Sequence, residues 1–346
     1  MFHGQLIKAT QGMRVTGVVT RNRDRAQLAK LDFPEARVFK TSEQAFEHQG
    51  DFELAVIATA SGSHFSLALQ SLHAGLHVVI DKPAAGSVSE IEILGETRKR
   101  LGRQVHVFQN RRWDSNFLTL RKHVESEIIG NVHTFESRLE SYRPVPSLGW
   151  RDSPKPESLG GVLWDLGSHL VDQASQLMGP AKSVYAHGRS LRNPLTSTDD
   201  VFICLQHTSG SQSLLFASKL VVPTAARLTA IGTLGSISIN HGDSQEEVLR
   251  DGDRFNISSL GFEPEEASAS IINSDAAQQI MLTKVPLERG RWSDFYPGVR
   301  ESIHSDTASP VSLSDVWFNT RILEGAITSI EKRAEIDLDT NTHPLL

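Results

Sequence analysis

The chain has 346 residues, enough for two domains at ~100–200 residues each, and its 39% hydrophobic and 22% charged content excludes wholesale disorder. A formal charge of −6 without a concentrated Lys/Arg face argues against nucleic acid as the main partner. The single cysteine, Cys204, rules out a disulfide framework or a thiolate zinc site, and it reads as a small core residue in Val-Phe-Ile-Cys-Leu.

In chain order, residues 3–11 read as a helix ended by Gly12, and 14–20 (Arg-Val-Thr-Gly-Val-Val-Thr) as a buried strand. A helix over 23–31, a short strand over 36–39 and a helix capped by Ser42 and running to about 49 follow. Residues 54–59 form a strong strand, Ser63 caps a helix over 64–74, and Gly75 stops it. The stretch 77–83, His-Val-Val-Ile-Asp-Lys-Pro, is the most informative. Three apolar residues make a strand buried on both faces, and Asp81 and Lys82 follow at its carboxyl end. Pro83 should hold Lys82 extended. A helix over 88–101 and a strand over 104–108 complete an alternating pattern, which predicts a parallel sheet of right-handed βαβ units.

Ligands of open α/β sheets bind outside the carboxyl ends of the strands. Thr20-Arg21-Asn22, Thr59-Ala60-Ser61, Asp81-Lys82 and Gln109-Asn110-Arg111 should therefore line one crevice, where a dinucleotide would lie. No Gly-x-Gly-x-x-Gly occurs, however, and the chain opens in what would be the first helix of such a fold. The expectation is a sequence that starts late, with a gap in the sheet between strands 14–20 and 54–59.

After a helix from about 114 to 127 the texture changes to alternating strands at 132–142, 183–191, 201–207, 212–220, 228–233 and 236–240, as in a mostly antiparallel sheet. One long helix, 161–178, interrupts them, and a last helix covers about 313–333. The polar stretch 243–290 reads as strand edges and loops. The fold expected is thus α/β: a Rossmann-type parallel-sheet domain, its first strand absent, over 1–112, and an α+β domain with a large, mostly antiparallel sheet over 113–346. No stretch approaches ~18 apolar residues and no basic segment leads an apolar run, so a cytoplasmic protein without a membrane partner is expected.

The second polar group lies in Gly160-Gly161-Val162-Leu163-Trp164-Asp165-Leu166-Gly167-Ser168-His169-Leu170-Val171-Asp172. At about 100° per residue, Asp165 and His169 are about 40° apart and Asp172 about 20° from Asp165, so one face would present carboxylate, imidazole and carboxylate. Such a face can move a hydroxyl proton, because histidine's ordinary pKa of ~6.5 makes both forms accessible. The alternative is a helix-start carboxylate beside a packed histidine. A metal reading of the three side chains finds no zinc or iron motif behind it.

Taken together, Asp81-Lys82-Pro83 and Asp165-Leu166-Gly167-Ser168-His169 resemble the Glu-Lys-Pro and Asp-x-x-x-His motifs of the Gfo/Idh/MocA oxidoreductases. The resemblance extends over essentially the whole chain, through Ala58–His64, Ala74–Val79, Asn110–Asp114, Phe135–Arg138 and Tyr142-Arg143-Pro144, and is strongest to the NADP-dependent scyllo-inositol dehydrogenase subgroup. It implies that Lys82 holds and polarises the reacting oxygen, His169 gives and takes its proton, and Asp165 orients the substrate or His169. It further implies a cofactor site that draws on Thr20, Arg21, Thr59, Ala60, His64, Asp81, Lys82 and Asn110, with Trp150, Arg151 and Tyr296 near the nicotinamide. Strand 14–20 ends Thr20-Arg21-Asn22-Arg23, with no acid to hold a ribose 2′-hydroxyl and with guanidiniums to suit a 2′-phosphate. NADP is therefore expected rather than NAD. The expected activity is hydride transfer to or from a cyclic polyol or sugar by a homo-oligomer, a dimer or tetramer. The rivals are a dinucleotide-sensing regulator of the same fold and a truncated relative that binds no cofactor.

Overall fold

The computed structural model describes residues 2–147, 149–250, 257–274, 279–305 and 307–338. Its first part alternates α1 (Phe2–Lys8), β1 (Gly17–Val19), α2 (Arg23–Asp32), β2 (Arg37–Phe39), α3 (Ser42–Phe46), β3 (Leu54–Ile57), α4 (His64–His73), β4 (His77–Asp81), α5 (Val88–Leu101) and β5 (Val105–Phe108). Every strand pair here is parallel, as the βαβ pattern requires. The strands form two sheets, β1–β2 and β3–β4–β5, and among the described residues no ladder joins β1 to β3. The break falls where the sequence pattern places a gap.

Local chemistry explains the helix starts. The Asn22 side chain accepts from the Arg25 amide at the start of α2, and the Ser87 hydroxyl accepts from the Glu90 amide at the start of α5. Thr41 rather than Ser42 caps α3, accepting from the Gln44 amide. Ser63 precedes α4, but its hydroxyl donates to the Ala60 carbonyl instead of capping. At the centre of the larger parallel sheet, Val78, Val79 and Ile80 of β4 are wholly buried.

The second part holds α6 (Ser115–Glu125), β6 (Val132–Glu140), a π-helical turn at Leu163–Gly167 that runs into α7 (Ser168–Met178), β7 (Ala181–Arg189), β8 (Asp200–His207), β9 (Gln212–Ser218), β10 (Leu228–Gly232) and β11 (Gly235–Ile239). It continues with α8 (Gln245–Arg250), β12 (Ser268–Ser274), β13 (Ile280–Pro286), α9 (Phe295–Ser305), α10 (Leu313–Lys332) and β14 (Ile336–Asp337). The strands make one mixed, mostly antiparallel sheet in the order β13-β12-β11-β10-β6-β9-β8-β7-β14, in which only β6–β9 is parallel. Alternation along β8 sends Val201, Ile203 and Leu205 into the core, where they meet Leu170, Val171 and Ala174 of α7 and Ile322, Leu323 and Ala326 of α10.

Two expectations need correction. The stretch 243–290, read as edges and loops, contributes α8 and the two strands that extend the sheet; residues 251–256 and 275–278 lie outside the described residues. Helix α9 was not anticipated, because Pro297 and Gly298 interrupt its pattern. Its Phe295, Tyr296 and Val299 are nevertheless buried, with Phe295 edge-on to Phe108 of β5 at 4.9 Å between ring centroids. The core of the parallel sheet is thus completed by chain from the far end, Trp292, Val316 and Trp317 included. Among the described residues no helix is long and apolar enough to cross a membrane.

Candidate active site

Lys82 leaves the carboxyl end of β4 on a cis Lys82–Pro83 peptide, and its ammonium reaches into the second part. Nζ donates to the Asp165 main-chain carbonyl and to Asp165 Oδ1, the latter at 3.0 Å. Lys219, one residue past β9, approaches Oδ2 of the same carboxylate at 3.9 Å. Burial would raise the Asp165 pKa, but Lys82, Lys219 and Arg151 outweigh it and hold the carboxyl down at about 2. At neutral pH this is a fixed anion that orients two ammonium groups.

His169 opens α7 and is 5% exposed. Burial first, then the Lys82, Arg111 and Arg227 charges, push its pKa well below the ordinary value. The ring is neutral at pH 7, and among the described residues Nδ1 has no hydrogen-bond partner. A neutral imidazole with an unmet nitrogen can receive a proton or a hydrogen bond from a hydroxyl brought to it. The charge of Lys82 and the proton capacity of His169 therefore occupy one buried locality.

The crevice is also partly assembled. Thr59-Ala60, Asp81-Lys82 and Gln109-Asn110 leave the carboxyl edge of the β3–β4–β5 sheet, and Thr20-Arg21 leaves that of the β1–β2 sheet. Thr59 Oγ1 lies 2.7 Å from Ser63 Oγ, and Thr20 Oγ1 accepts from the Asn22 amide at 3.2 Å. Gln109 is 4% exposed, and its Oε1 has no partner among the described residues. An unmet amide oxygen at a strand end, with hydroxyls along the same edge, suits a ligand rich in hydroxyls and amides. Burial disfavours the Asp81 carboxylate, but the nearby His3 ring and Lys82 more than offset it and lower its pKa.

Three sequence expectations change. Both ring nitrogens of His64 face main-chain carbonyls, Pro83 at 2.7 Å and Thr59 at 3.1 Å, so the buried ring is turned into the crevice wall rather than toward a ligand. Tyr296 is wholly buried, and its hydroxyl is taken by His3 Nδ1 at 2.7 Å, so it presents no free hydroxyl to a ligand. Asp172 does not share the face of Asp165 and His169. The π-helical turn is wider than the α-turn assumed, and Asp172 takes Arg112 in a buried bidentate pair at 2.6 and 2.9 Å, with Asn319 at 2.7 Å. Trp150 and Arg151 lie in a 3-10 turn, the guanidinium 4.5 Å from the indole ring centre, and Arg151 borders the cavity beside Asp165. Sequence reasoning missed Lys219 altogether; its only signal was a charge ending the apolar run Leu-Leu-Phe-Ala-Ser.

Two family models match the chain: "Oxidoreductase family, NAD-binding Rossmann fold" over residues 1–109 and "GFO/IDH/MocA C-terminal domain" over residues 117–238. The uncharacterised Escherichia coli oxidoreductase YdgJ is 31% identical over 97% of this chain and 94% of its own. The Bacillus subtilis scyllo-inositol 2-dehydrogenase (NADP(+)) IolW is 29% identical over 98% of this chain and 92% of its own. The solved structure of Bacillus subtilis yvaA superposes with a TM-score of 0.90 at 28% identity, covering 98% of this chain and 94% of that one.

Proposed function

The chain belongs to the Gfo/Idh/MocA family of oxidoreductases, with its NAD(P)-binding fold, and from that premise we propose that it transfers a hydride between NADP(H) and a CH–OH or C=O group of a cyclic polyol or sugar. The observation that carries the reading is the Lys82–Asp165 pair beside a neutral His169 with an unmet ring nitrogen. Lys82 holds the reacting oxygen and stabilises the negative charge that builds on it as its proton leaves. His169 takes that proton in oxidation and returns it in reduction. Asp165 keeps the ammonium aimed. The nicotinamide, when bound, supplies the hydride acceptor or donor.

Thr20, Arg21, Thr59, Ala60, Asp81, Lys82 and Asn110 would hold the dinucleotide, with Trp150 and Arg151 toward the nicotinamide end. NADP is favoured over NAD because the chain after β1 offers a hydroxyl and guanidiniums and no acid, and Arg21 is exposed there. IolW, whose name specifies NADP and scyllo-inositol, supports the same choice of cofactor and substrate class. The cut near residue 112, a cytoplasmic location and a dimer or tetramer formed over the outer sheet face, where Tyr185, Ile272 and Leu282 are 39–62% exposed, complete the reading.

The test is turnover of scyllo-inositol and other cyclic polyols with NADP, followed by the absorbance of the reduced nicotinamide. Turnover that disappears in Lys82→Ala while NADPH still binds is the expected result. A folded chain that binds NADPH and turns over no polyol or sugar would point instead to a dinucleotide-sensing regulator.

A further inference from the structure

Beside Asp165 a small cleft of about 100 Å³ opens, and the residues that line it all come from the second part of the chain. Four cations line it, Arg143, Arg151, Arg192 and Lys219, against two carboxylates, Asp152 and Asp165.

One cation and one carboxylate of this set are already committed to each other. Asp152 Oδ1 takes Arg192 Nη2 at 2.6 Å, while its Oδ2 accepts from the Ser147 amide and hydroxyl at 2.7 and 2.5 Å. Arg192 Nε turns to the fully buried Asp199 at 3.0 Å, so this arginine is neutralised twice and serves as framework. What remains is Arg143, Arg151 and Lys219 around Asp165, which Lys82 already shares. The Arg143 guanidinium makes no hydrogen bond or ion pair among the described residues, and the contact of Arg151 is its stack on Trp150. Lys219 is 19% exposed in its side chain, with its nearest carboxylate oxygen at 3.9 Å. Burial first, and then Arg143, Arg192 and Lys82, lower its pKa against the pull of Asp165. Arg143 and Arg151 are exposed and Lys219 is partly buried, so an incoming anion would meet two solvated guanidiniums and one partly desolvated ammonium.

We infer that the substrate is acidic: a polyol or sugar whose carboxylate or phosphoryl group is received by Lys219, Arg143 and Arg151 while a hydroxyl meets Lys82 and His169. The inference rests on the proposed hydride transfer and narrows its substrate class. Three cations can neutralise either anion, and the arginine forks favour its planar or tetrahedral oxygens over those of a neutral hydroxyl.

The test is calorimetric titration of the full chain loaded with NADP, using glucose, gluconate, glucuronate, glucose 6-phosphate and scyllo-inositol as probes. At least one acidic probe should bind about tenfold tighter than the neutral ones. Lys219→Met and the more exposed Arg143→Gln should each remove most of that advantage, weakening the acids far more than the neutral probes. Raising salt from about 50 to 300 mM should weaken only the acids. Comparing gluconate and glucuronate with the phosphate ester identifies the anion. Neutral probes binding as well as acids, no probe binding, or variants that weaken NADPH rather than the acid would overturn the inference. Turnover with NADP, assayed separately, judges the chemistry. Preferential binding of acids without turnover would sink the hydride-transfer reading alone, and turnover of neutral polyols without charge preference would sink the acidic substrate alone.

Discussion

Lys82, Asp165 and His169 stand on β4 and on the π-turn leading into α7, where Val78, Val79, Ile80, Leu170 and Val171 are fully buried. Thr20 and Arg21 follow β1, a three-residue strand whose only ladder among the described residues is to β2 and whose Val19 is 48% exposed. Around them, Ala29 is the one buried residue of α2, α3 has none, and Leu31 is 75% exposed. Chemistry needs groups held in place, and the residues proposed for it are built into two cores. The proposed choice of cofactor rests on a unit with little core of its own. Catalysis and cofactor discrimination should therefore respond differently to perturbation.

The largest effect should fall on the buried side. Lys82→Ala removes the ammonium that joins the two parts at Asp165, and turnover should fall at least ~10³-fold, at the upper end of what proton-transfer and charge-stabilising groups contribute. His169→Gln keeps a hydrogen-bonding side chain without a proton site and should lose ~10²–10³-fold. NADPH affinity, read by fluorescence titration, should stay within a few fold in both. A Lys82→Ala enzyme with near-normal kcat would remove that residue from the mechanism and level the contrast between the two regions.

Hydrogen exchange probes the contrast without reference to activity. Amides of β1 and β2 should exchange through local opening, while those of β4, β8 and β9 should wait for global unfolding. Opening energies within one protein run from near zero to the full stability, so the difference should reach several kcal/mol. Equal protection in β1 and β4 would show that the small sheet is anchored as firmly as the large one.

What the sequence could reveal follows the same division. A run of three apolar residues followed by Asp81-Lys82 advertises a buried strand with charge at its end, and Asp165 and His169 lie close enough in sequence for helical geometry to link them. The π-turn between them leaves no mark in the periodicity, so Asp172 was placed on the wrong face although its true partner, Arg112, lies 60 residues away. Side by side, Thr41 and Ser42 offer the same hydroxyl, and only the backbone decides which caps α3. Polar composition hid β12 and β13 at the edge of the sheet, where little burial is demanded of them. Lys219 was out of reach for a different reason: it becomes meaningful only because β9 pairs with β6 and sets it beside Arg143, whose amide donates to the Lys219 carbonyl at 2.7 Å.

Acid should weaken the buried side in two separable windows. His169 is held neutral in the fold but protonates freely once unfolded, near its ordinary pKa of ~6.5. Below that pH the unfolded state binds a proton the folded state refuses, so stability falls as pH drops, by up to about 2 kcal/mol between pH 6.5 and 5. His169→Gln should make that part of the curve shallower, while buried His106 and His207, also held below their ordinary values, keep a slope there. Asp165 works lower. Its folded pKa of about 2 lies below the unfolded value, so its contribution is full above ~4 and fades as the pH falls toward 2. Denaturant melts at several pH values check both windows, and a His169→Gln curve that runs parallel to the wild type between pH 6.5 and 5 would mean that the imidazole contributes nothing to it.

The smallest effect should come from the exposed side. Arg21 is exposed after β1, and an exposed guanidinium facing a 2′-phosphate works against water and salt. Arg21→Gln should cut the NADPH-over-NADH preference about tenfold, or roughly 1.4 kcal/mol, with kcat for the bound complex unchanged. The loss should shrink further as salt rises, because the interaction is screened, whereas the defect of Lys82→Ala should not, because its partner Asp165 is largely shielded from water. A preference that survives Arg21→Gln intact would transfer cofactor choice from this lightly anchored unit to the buried core, and the two regions would then answer to one foundation.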